Sequence, residues 1–234
     1  MKNTLLATLT IALGTSVSMA SVINIDADLL DQVVRGNGTS GTSLNWSGQA
    51  GDQIAGTASG EMVVQFILPD LGSETIGSAN LLASLNAPTW QAWGNIDVYG
   101  VRYSSAAAVA LSDYAPFSDS AGNGTKIADN FYVSGTGTGA YEIFNTDAPA
   151  DATLAAWLTD QYTAGAVAGD YVFLRFQPDH MDAVGTHGVY FATANTLAET
   201  TPVLAIETIP EPATLGLVSA LAGAMIFIRR RFMI

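Results

Sequence analysis

The chain has no cysteine and few basic residues. Without cysteine among its 234 residues it can form neither a disulfide nor a thiol active site, so an ordinary apolar core must stabilise its fold. Eight lysines and arginines stand against 21 acidic residues, which gives a formal net charge of −13. A chain this acidic repels phosphate groups, which argues against nucleic acid and anionic membrane surfaces as binding partners.

Catalytic motifs are also scarce. The two histidines, His180 and His187, lie in a stretch beginning at Pro178 that has the composition of a solvent-facing loop. Asp179 and Asp182 lie close by, and a His–Asp pair can bind a metal, but the spacing matches no common zinc pattern. The sequence also lacks the motifs Gly-x-Ser-x-Gly and His-Glu-x-x-His and a phosphate-binding loop. We therefore predict a protein that is not an enzyme and carries no cofactor.

The first 20 residues have the three parts of a secretory signal peptide. Met1-Lys2 is a short basic start, Leu5 to Val17 is mostly apolar, and Ser18-Met19-Ala20 has the small-x-small pattern of a cleavage site. We predict transport by the Sec machinery and cleavage by signal peptidase after Ala20. The rest of the chain is then exported from the cytoplasm.

The other end of the chain predicts a short transmembrane helix. Residues 213–228 carry no charge, and Arg229, Arg230 and Arg231 follow them directly. A helix of this length spans roughly 24 Å, which is short of the ~30 Å hydrocarbon core, but the arginines can snorkel to the interface and mark the membrane stop. The positive-inside rule assigns these arginines to the cytoplasmic side. A buried core helix and a permanent anchor are the alternatives.

Pro210-Glu211-Pro212 precedes this apolar stretch, and the order of the three parts resembles a PEP-CTERM sorting signal. In proteins of that type the signal is read by exosortase, a membrane-embedded, transpeptidase-like enzyme of Gram-negative bacteria. The resemblance implies that Pro210, Glu211 and Pro212 are the recognition motif and that residues 207–234 are a temporary address. It also implies an exported protein of a bacterium that makes extracellular polysaccharide. The predicted route leads from the inner membrane to the cell surface or matrix.

Residues 21–206 predict a mainly β fold. Apolar alternation and turn residues indicate strands at 21–25, 61–68, 79–85, 95–103, 131–133, 141–144, 170–176, 188–192 and 201–206. One helix is predicted over Pro149 to Ala164, where Leu154, Trp157, Leu158 and Tyr162 recur at helical spacing. Many short strands with glycine-rich turns and a single crossover helix favour a β-sandwich, with a jelly roll as the preferred form.

A second resemblance covers part of this region. The segments Phe66 to Gly72, Thr75 to Leu82 and Ile96 to Gly100 are similar to jelly-roll domains of the DNRLRE type, which are related in shape to carbohydrate-binding modules. In those domains a strand ends in a Leu-Pro turn, and the next strand opens with Ile-x-Ser-Ala-x-Leu. The resemblance supports the fold more than any function.

Aromatic residues supply the candidates for sugar binding. Trp90 and Trp93 follow Pro88 in a loop-like stretch, and Trp46 and Tyr99 are further candidates for stacking on a sugar ring. Core packing is the alternative fate of each of these rings.

A loop from Asp113 to Thr125 is a candidate calcium site. It contains Asp113, Asp119 and Asn123, with Gly122 and Gly124 giving a tight turn, but it lacks the terminal bidentate glutamate and the spacing of an EF-hand. A solvated loop is the alternative.

Three classes of function fit these observations. The first is a structural protein of the cell surface or extracellular matrix, associated with exopolysaccharide. The second is a carbohydrate-binding protein without catalytic activity. The third is an enzyme acting on polysaccharide, for which the acidic residues supply carboxylates but no identifiable catalytic pair.

Overall fold

Two antiparallel sheets dominate the part of the chain that the structure describes, and this confirms the prediction of a mainly β fold. The computed structural model describes residues 20–36, 40–45, 49–54, 58–86, 95–115, 124–133, 136, 141–178, 189–194 and 201–210. Ala20 to Ile209 form one compact unit. Within the described residues the elements are β1 (Ser21–Asp26), β2 (Gln32–Gly36), β3 (Gly41–Asn45), β4 (Gln49–Ile54), β5 (Ala58–Ile67), β6 (Thr75–Ser84), β7 (Ile96–Ser104), β8 (Thr125–Tyr132), β9 (Ile143–Asn145), α1 (Ala148–Thr163), β10 (Tyr171–Pro178), β11 (Val189–Tyr190) and β12 (Val203–Ile209).

The small sheet has the strand order β1-β12-β6-β9. Its first two strands come from opposite ends of the compact unit and pair without a break, from Ser21 opposite Thr208 to Asp26 opposite Val203. Strand β6 flanks β12 on the other side. The first and last strands are therefore neighbours in one sheet.

The large sheet has the order β11-β4-β5-β10-β7-β8, and β2 pairs with both β5 and β3. Strands β10 and β2 contact overlapping parts of β5, at Met62 and Val63, so they lie on opposite edges of that strand. The hydrogen-bonded neighbours of β5 and β10 on both sides make these two strands the centre of the sheet.

The main core lies between the two sheets. Alternate residues of the strands point inward, as the two-residue period of a strand requires. The inward side chains include Met62, Val64 and Phe66 of β5, Val172, Leu174 and Phe176 of β10, and Leu81, Leu204 and Ile206 of the small sheet. All nine are fully buried.

Helix α1 contributes to the same core and confirms the predicted helix. Its N-cap is Asp147, whose carboxylate accepts a hydrogen bond from the Ala150 amide at 3.0 Å. Leu154, Trp157 and Leu158 are buried against the sheets. Trp157 packs directly on Gly100 of β7, where an added Cβ atom would lie 2.3 Å from the indole ring. This approach requires glycine at position 100.

The outer face of the large sheet is covered by residues 105–115, which we call the covering segment. After β7 the chain crosses this face, forms a 3-10 turn at Leu111–Asp113, and brings Tyr114 over Gly36 of β2. Val109 and Tyr114 pack with Val34, Val63 and Phe173 in a second apolar cluster. The large sheet is therefore buried on both faces here.

The sequence missed or misplaced several strands. Strands β2, β3 and β4 were not predicted, because residues 32–54 are mostly small and polar and show no sustained alternation. Strand β8 begins at Thr125 and not at Phe131, since a bulge near Asn130 interrupts its pattern. The strand predicted at 188–192 is described only over Val189–Tyr190, followed by a single bridge at Phe191.

Candidate functional site

Charged and polar side chains form a buried cluster on the outer face of the large sheet. This polar cluster consists of Glu61 of β5, Asp97 and Tyr99 of β7, Lys126 of β8 and Arg175 of β10. Strand register brings them together, because Arg175 lies opposite Tyr99 and Tyr99 lies opposite Lys126 on neighbouring strands. Side chains at facing positions share one side of the sheet and are in contact range.

Glu61 and Arg175 are a buried pair of opposite charge type. Arg175 Nε lies 3.6 Å from Glu61 Oε2, and the two residues are 0% and 1% exposed. Glu61 Oε2 accepts a hydrogen bond from the Ala115 amide at 2.8 Å, while Arg175 donates to the Asp113 carbonyl at 2.8 Å and to Gln177 Oε1 at 3.2 Å. Burial raises the pKa of Glu61 to about 8, against the opposing effects of Arg175 and the Ala115 amide. Arg175 stays charged although burial lowers its pKa, because a guanidinium group does not lose its proton in proteins.

Lys126 joins Asp97 to the rim of the cluster. Its Nζ pairs with Asp97 and donates to Asp129 at 2.9 Å. Burial alone lowers the pKa of Lys126, but the bonds to Asp97 and Asp129 outweigh it and the net pKa is raised. The Tyr99 hydroxyl donates to Asp97 at 3.2 Å, and burial together with the Asp97 charge raises the pKa of Tyr99. With the lysine charged and the tyrosine neutral at pH 7, neither side chain can accept a proton as a general base.

An ion pair beside the cluster holds the covering segment. Arg102 Nε and its terminal nitrogen donate to both oxygens of Asp113, at 2.6 and 2.8 Å. Asp113 is fully buried and also accepts from the Ala110 amide at 2.8 Å. The guanidinium of Arg102 stacks 3.8 Å above the Phe173 ring centroid. Both carboxylate oxygens of Asp113, a predicted calcium ligand, therefore accept hydrogen bonds from other groups of the protein, and the residue is part of an ion pair.

The polar cluster and the Arg102–Asp113 pair together fasten the covering segment to the sheet. Glu61 binds its amide at Ala115, Arg175 binds its carbonyl at Asp113, and Arg102 binds its carboxylate. Such contacts order a segment of chain because each buried polar group needs its partner. The role that the geometry of the polar cluster supports best is to hold the covering segment on the sheet.

A second feature lies at one end of the small sheet, which we call the processing end. It comprises Ser21 at the start of β1, Glu74 before β6, and Thr208 and Ile209 at the end of β12. Ser21 lies opposite Thr208, and their hydroxyl groups are 2.7 Å apart. Because β1 and β12 are antiparallel neighbours, Ser21, which follows the predicted cleavage site, and Ile209, which precedes the predicted sorting motif, lie at the same end of this sheet.

The remaining predicted sites divide between described and undescribed residues. Tyr99 is 2% exposed beneath Lys126 and Arg175, so its ring is not available to stack on a sugar. Ala20 and Pro210 are described; Ala20 begins the compact unit, and Pro210 follows Ile209, at which that unit ends. The predicted residues outside the described ranges are Trp46, Trp90, Trp93, Asp119, Asn123, Asp179, His180, Asp182, His187, Glu211, Pro212, Arg229, Arg230 and Arg231.

Sequence reasoning overlooked the polar cluster. One signal for it was present, since Arg175 interrupts the apolar run Tyr-Val-Phe-Leu-Arg-Phe from Tyr171 to Phe176. A charged residue inside such a strand needs a buried partner of opposite charge. Glu61 opens the apolar stretch Glu-Met-Val-Val in the same way. The pairing of the two residues depends on strand order, which the sequence did not provide.

The chain matches no protein-family model and no curated protein. Across the described ranges, no helix has both the length and the apolar character needed to cross a bilayer. The same residues contain no group of three or more His, Cys, Asp or Glu side chains arranged to hold a metal ion. The predicted helix at 213–228 lies outside those ranges.

Proposed function

We propose that the chain is an exported protein of a Gram-negative bacterium, delivered by its signal peptide and sorted by its PEP-CTERM-like tail. In this proposal the tail holds the precursor in the inner membrane until exosortase reads Pro210-Glu211-Pro212. Residues 21–206 then join the cell surface or the extracellular matrix, where they have a structural role in association with exopolysaccharide.

The position of the processing end carries this proposal. Ser21 and Ile209 lie at the same end of adjacent strands, so the signal peptide and the tail are joined to the sandwich at the same end of one sheet. A precursor tethered to one membrane through both segments needs this arrangement, because opposite ends would force one segment to run the length of the sandwich. The observation therefore favours a chain whose two ends meet one membrane.

The sorting motif follows the sheet without a spacer. The Ile209 side chain packs on Gly77 of β6, and its carbonyl accepts a hydrogen bond from the Thr75 hydroxyl at 3.3 Å. Pro210 is the next residue, and a proline there ends the strand because it has no N–H to donate. A peptidase that reads this motif works within a few residues of the folded sheet, which fits an enzyme that receives an already folded sandwich.

A role without catalysis is supported by how the buried charges are used. The charged groups of the polar cluster contact one another and the covering segment, as described above. A carboxyl group with a raised pKa, such as that of Glu61, would suit a general acid, but Glu61 is 1% exposed and its carboxyl group accepts a hydrogen bond from the Ala115 amide. A substrate would have to displace the covering segment to reach it.

We propose further that the sandwich is of the jelly-roll type. Each sheet draws strands from distant parts of the chain, with β1 beside β12 in one sheet and β5 beside β10 in the other. Helix α1 follows β9 of the small sheet and precedes β10 of the large one, so it carries the chain across between sheets. Interleaved connections of this kind are typical of jelly rolls.

The experiment for the sorting proposal is Glu211→Ala in the native host. We expect the variant to accumulate as full-length, membrane-bound precursor because the recognition motif has lost its carboxylate. Mass spectrometry and fractionation of cells and medium measure the outcome. Glu207→Ala is the matched control, since it removes an exposed acid four residues earlier in β12 and leaves the motif intact.

Equal release of wild type, Glu211→Ala and Glu207→Ala would contradict recognition at Pro210-Glu211-Pro212. Retention of both variants would instead show that acidity near the end of β12, and not the motif, governs release.

Carbohydrate binding without chemistry is the second candidate. The two edge strands of the small sheet carry exposed side chains, since Val22 of β1 and Ile143 of β9 are each 62% exposed and Asn24 and Asn145 on the same strands are exposed as well. Amide side chains on an exposed sheet can hydrogen-bond sugar hydroxyls. Affinity electrophoresis in the producer's own exopolysaccharide tests this role. Asn24→Ala/Asn145→Ala should reduce retardation if this face binds, and Trp90→Ala/Trp93→Ala should do so if those rings bind.

A further inference from the structure

Glu74 at the processing end is a carboxylate with hydroxyl partners. Its Oε2 accepts a hydrogen bond from the Thr208 hydroxyl and lies 3.5 Å from the Ser21 hydroxyl. Thr208 is fully buried and Glu74 is half-buried. A carboxylate that is partly removed from water is stabilised by a nearby positive charge, so a cation close to Glu74 would stabilise its charged form.

The described elements around Glu74 contain no basic side chain that could supply this charge. Strands β1, β6 and β12 and the turn at 69–74 contain no lysine or arginine. The other ionisable side chains on these elements are Asp26, Asp70 and Glu207, all acidic. Asp70 accepts from the Gly72 amide at 2.9 Å, and Glu207 accepts from the Ser78 hydroxyl at 2.8 Å. Among the described ion pairs of the protein, none involves Glu74.

We propose that the missing cation is the α-ammonium group of Ser21, created when the signal peptide is removed, and that it binds Glu74. The inference rests on the export step of the proposed function. Hydrolysis of the Ala20–Ser21 peptide bond adds one water molecule, leaving a carboxylate on Ala20 and an amine, protonated at neutral pH, on Ser21. Before cleavage the same nitrogen is an uncharged amide.

The geometry brings the new charge to the carboxylate. The backbone nitrogen of a serine lies about 3 Å from its own Oγ. Because the Ser21 Oγ is 3.5 Å from Glu74 Oε2, the amine lies within roughly 7 Å of that carboxylate oxygen, a distance at which opposite charges attract each other near a protein surface. Pairing the first residue of β1 with Glu74 holds that strand end against Thr208, the residue opposite.

This ion pair makes the stability of the processing end depend on maturation. The strand β1 is an edge strand of the small sheet, and the first residue of an edge strand frays easily. A charged contact at Ser21 opposes this fraying and keeps β12 ordered up to Ile209, next to the sorting motif. Removal of the signal peptide therefore tightens the end of the sheet from which the tail leaves.

The test measures the pKa of the Ser21 amine in the full chain after export. The protein is purified with its tail from the native host, and mass spectrometry identifies the N-terminal residue. The acylation rate of that amine is then followed against pH. We expect the pKa of the wild-type amine to lie about one unit above the ~7.7 to 8.0 typical of α-amino groups, and Glu74→Gln to return it to that range.

Glu207→Gln is the control, because it removes an equal charge from β12 without touching the Ser21 and Thr208 hydroxyl groups. The control should keep the raised pKa, and Glu74→Asp, with its shorter side chain, should give an intermediate value. Tryptophan fluorescence of each variant verifies that it is folded.

An ordinary amine pKa in folded wild-type protein, or an equal decrease in Glu74→Gln and Glu207→Gln, would overturn the ion pair while leaving export intact. A mature N-terminus other than Ser21 would contradict the cleavage site itself and with it the charge at this position.

Discussion

The buried carboxyl group of Glu61 makes the stability of this protein sensitive to pH. In the folded state its pKa is raised to about 8, from an ordinary value of 4.5, chiefly by burial. Between these two values the unfolded chain releases a proton that the folded protein keeps. The contribution of Glu61 to folding stability is therefore complete below pH 4.5 and is lost as the pH rises toward 8.

The shift sets the size of the effect. One pKa unit corresponds to about 1.4 kcal/mol, so the difference between the folded and unfolded pKa of Glu61 amounts to about 4 to 5 kcal/mol. Glu61→Gln keeps the size of the side chain and an oxygen for the Ala115 amide but cannot ionise. Between pH 5 and pH 8, wild type should lose about 4 kcal/mol of unfolding free energy relative to Glu61→Gln.

Urea unfolding followed by tryptophan fluorescence at pH 5, 6, 7 and 8 measures this difference. Glu142→Gln is the control, since Glu142 is exposed and its removal should leave the pH profile parallel to that of the wild type. If the free energies of unfolding of wild type and Glu61→Gln differ by the same amount at every pH from 5 to 8, the reasoning is refuted. It would mean that Arg175, 3.6 Å away, keeps Glu61 ionised in the folded protein.

Two further changes test the packing of the sandwich. Gly100→Ala should destabilise the protein by about 1 to 3 kcal/mol, because the new Cβ would lie 2.3 Å from the Trp157 ring; in a urea double-mutant cycle, Trp157→Leu should remove most of that cost. Gln65→Met should raise stability by about 1 to 3 kcal/mol, because Gln65 is fully buried and neither of its amide atoms has a hydrogen-bond partner among the described residues. Gln177→Met, which removes the acceptor for Arg175 Nε, should have the opposite sign in the same assay; stabilisation by both would contradict the account.

The elements that sequence reasoning located share one property, an apolar pattern with a clear period. Strand β10 and the first half of β7 alternate or are continuously apolar, and α1 repeats large side chains at helical spacing after its Asp147 cap. Strand β3, Gly-Thr-Ser-Leu-Asn, has no such pattern. It forms because β2 offers it a free edge, and a free edge is a property of the assembled sheet and not of the five residues.

Strand β8 shows how a local irregularity hides an element. Asn130 adopts a left-handed backbone conformation with φ of 56°, and its backbone N–H donates a hydrogen bond to Asp97 Oδ1 at 2.8 Å across the strand pair. This bulge shifts the register between Ala128 and Tyr132 and breaks the alternation that would have marked the strand. Asparagine tolerates such a conformation better than most residues, so it is suited to this position in the bulge.

The candidate sites depended even more on tertiary structure. The processing end could be anticipated in part, because the cleavage and sorting motifs are each written in consecutive residues around Ala20 and Pro210. Ser21 and Ile209, which border these motifs, lie at one end of a sheet because β1 pairs with β12. That pairing joins residues far apart in the chain. Glu74 enters the same place from a third segment, and nothing in its local sequence indicates this.

The few cations of the protein explain why its two polar features differ. Of the four basic residues between Ser21 and Ile209, three lie on the outer face of the large sheet, where they bind carboxylates and the covering segment. The covering segment has few large apolar side chains, and Leu111 within it is 43% exposed, so burial of apolar side chains alone holds it weakly. Hydrogen bonds to charged groups supply the remaining stabilisation of this segment. The fourth, Arg35, lies in β2 of the large sheet. The strands of the small sheet carry no basic side chain, and the processed N-terminus is the cation that we propose for Glu74.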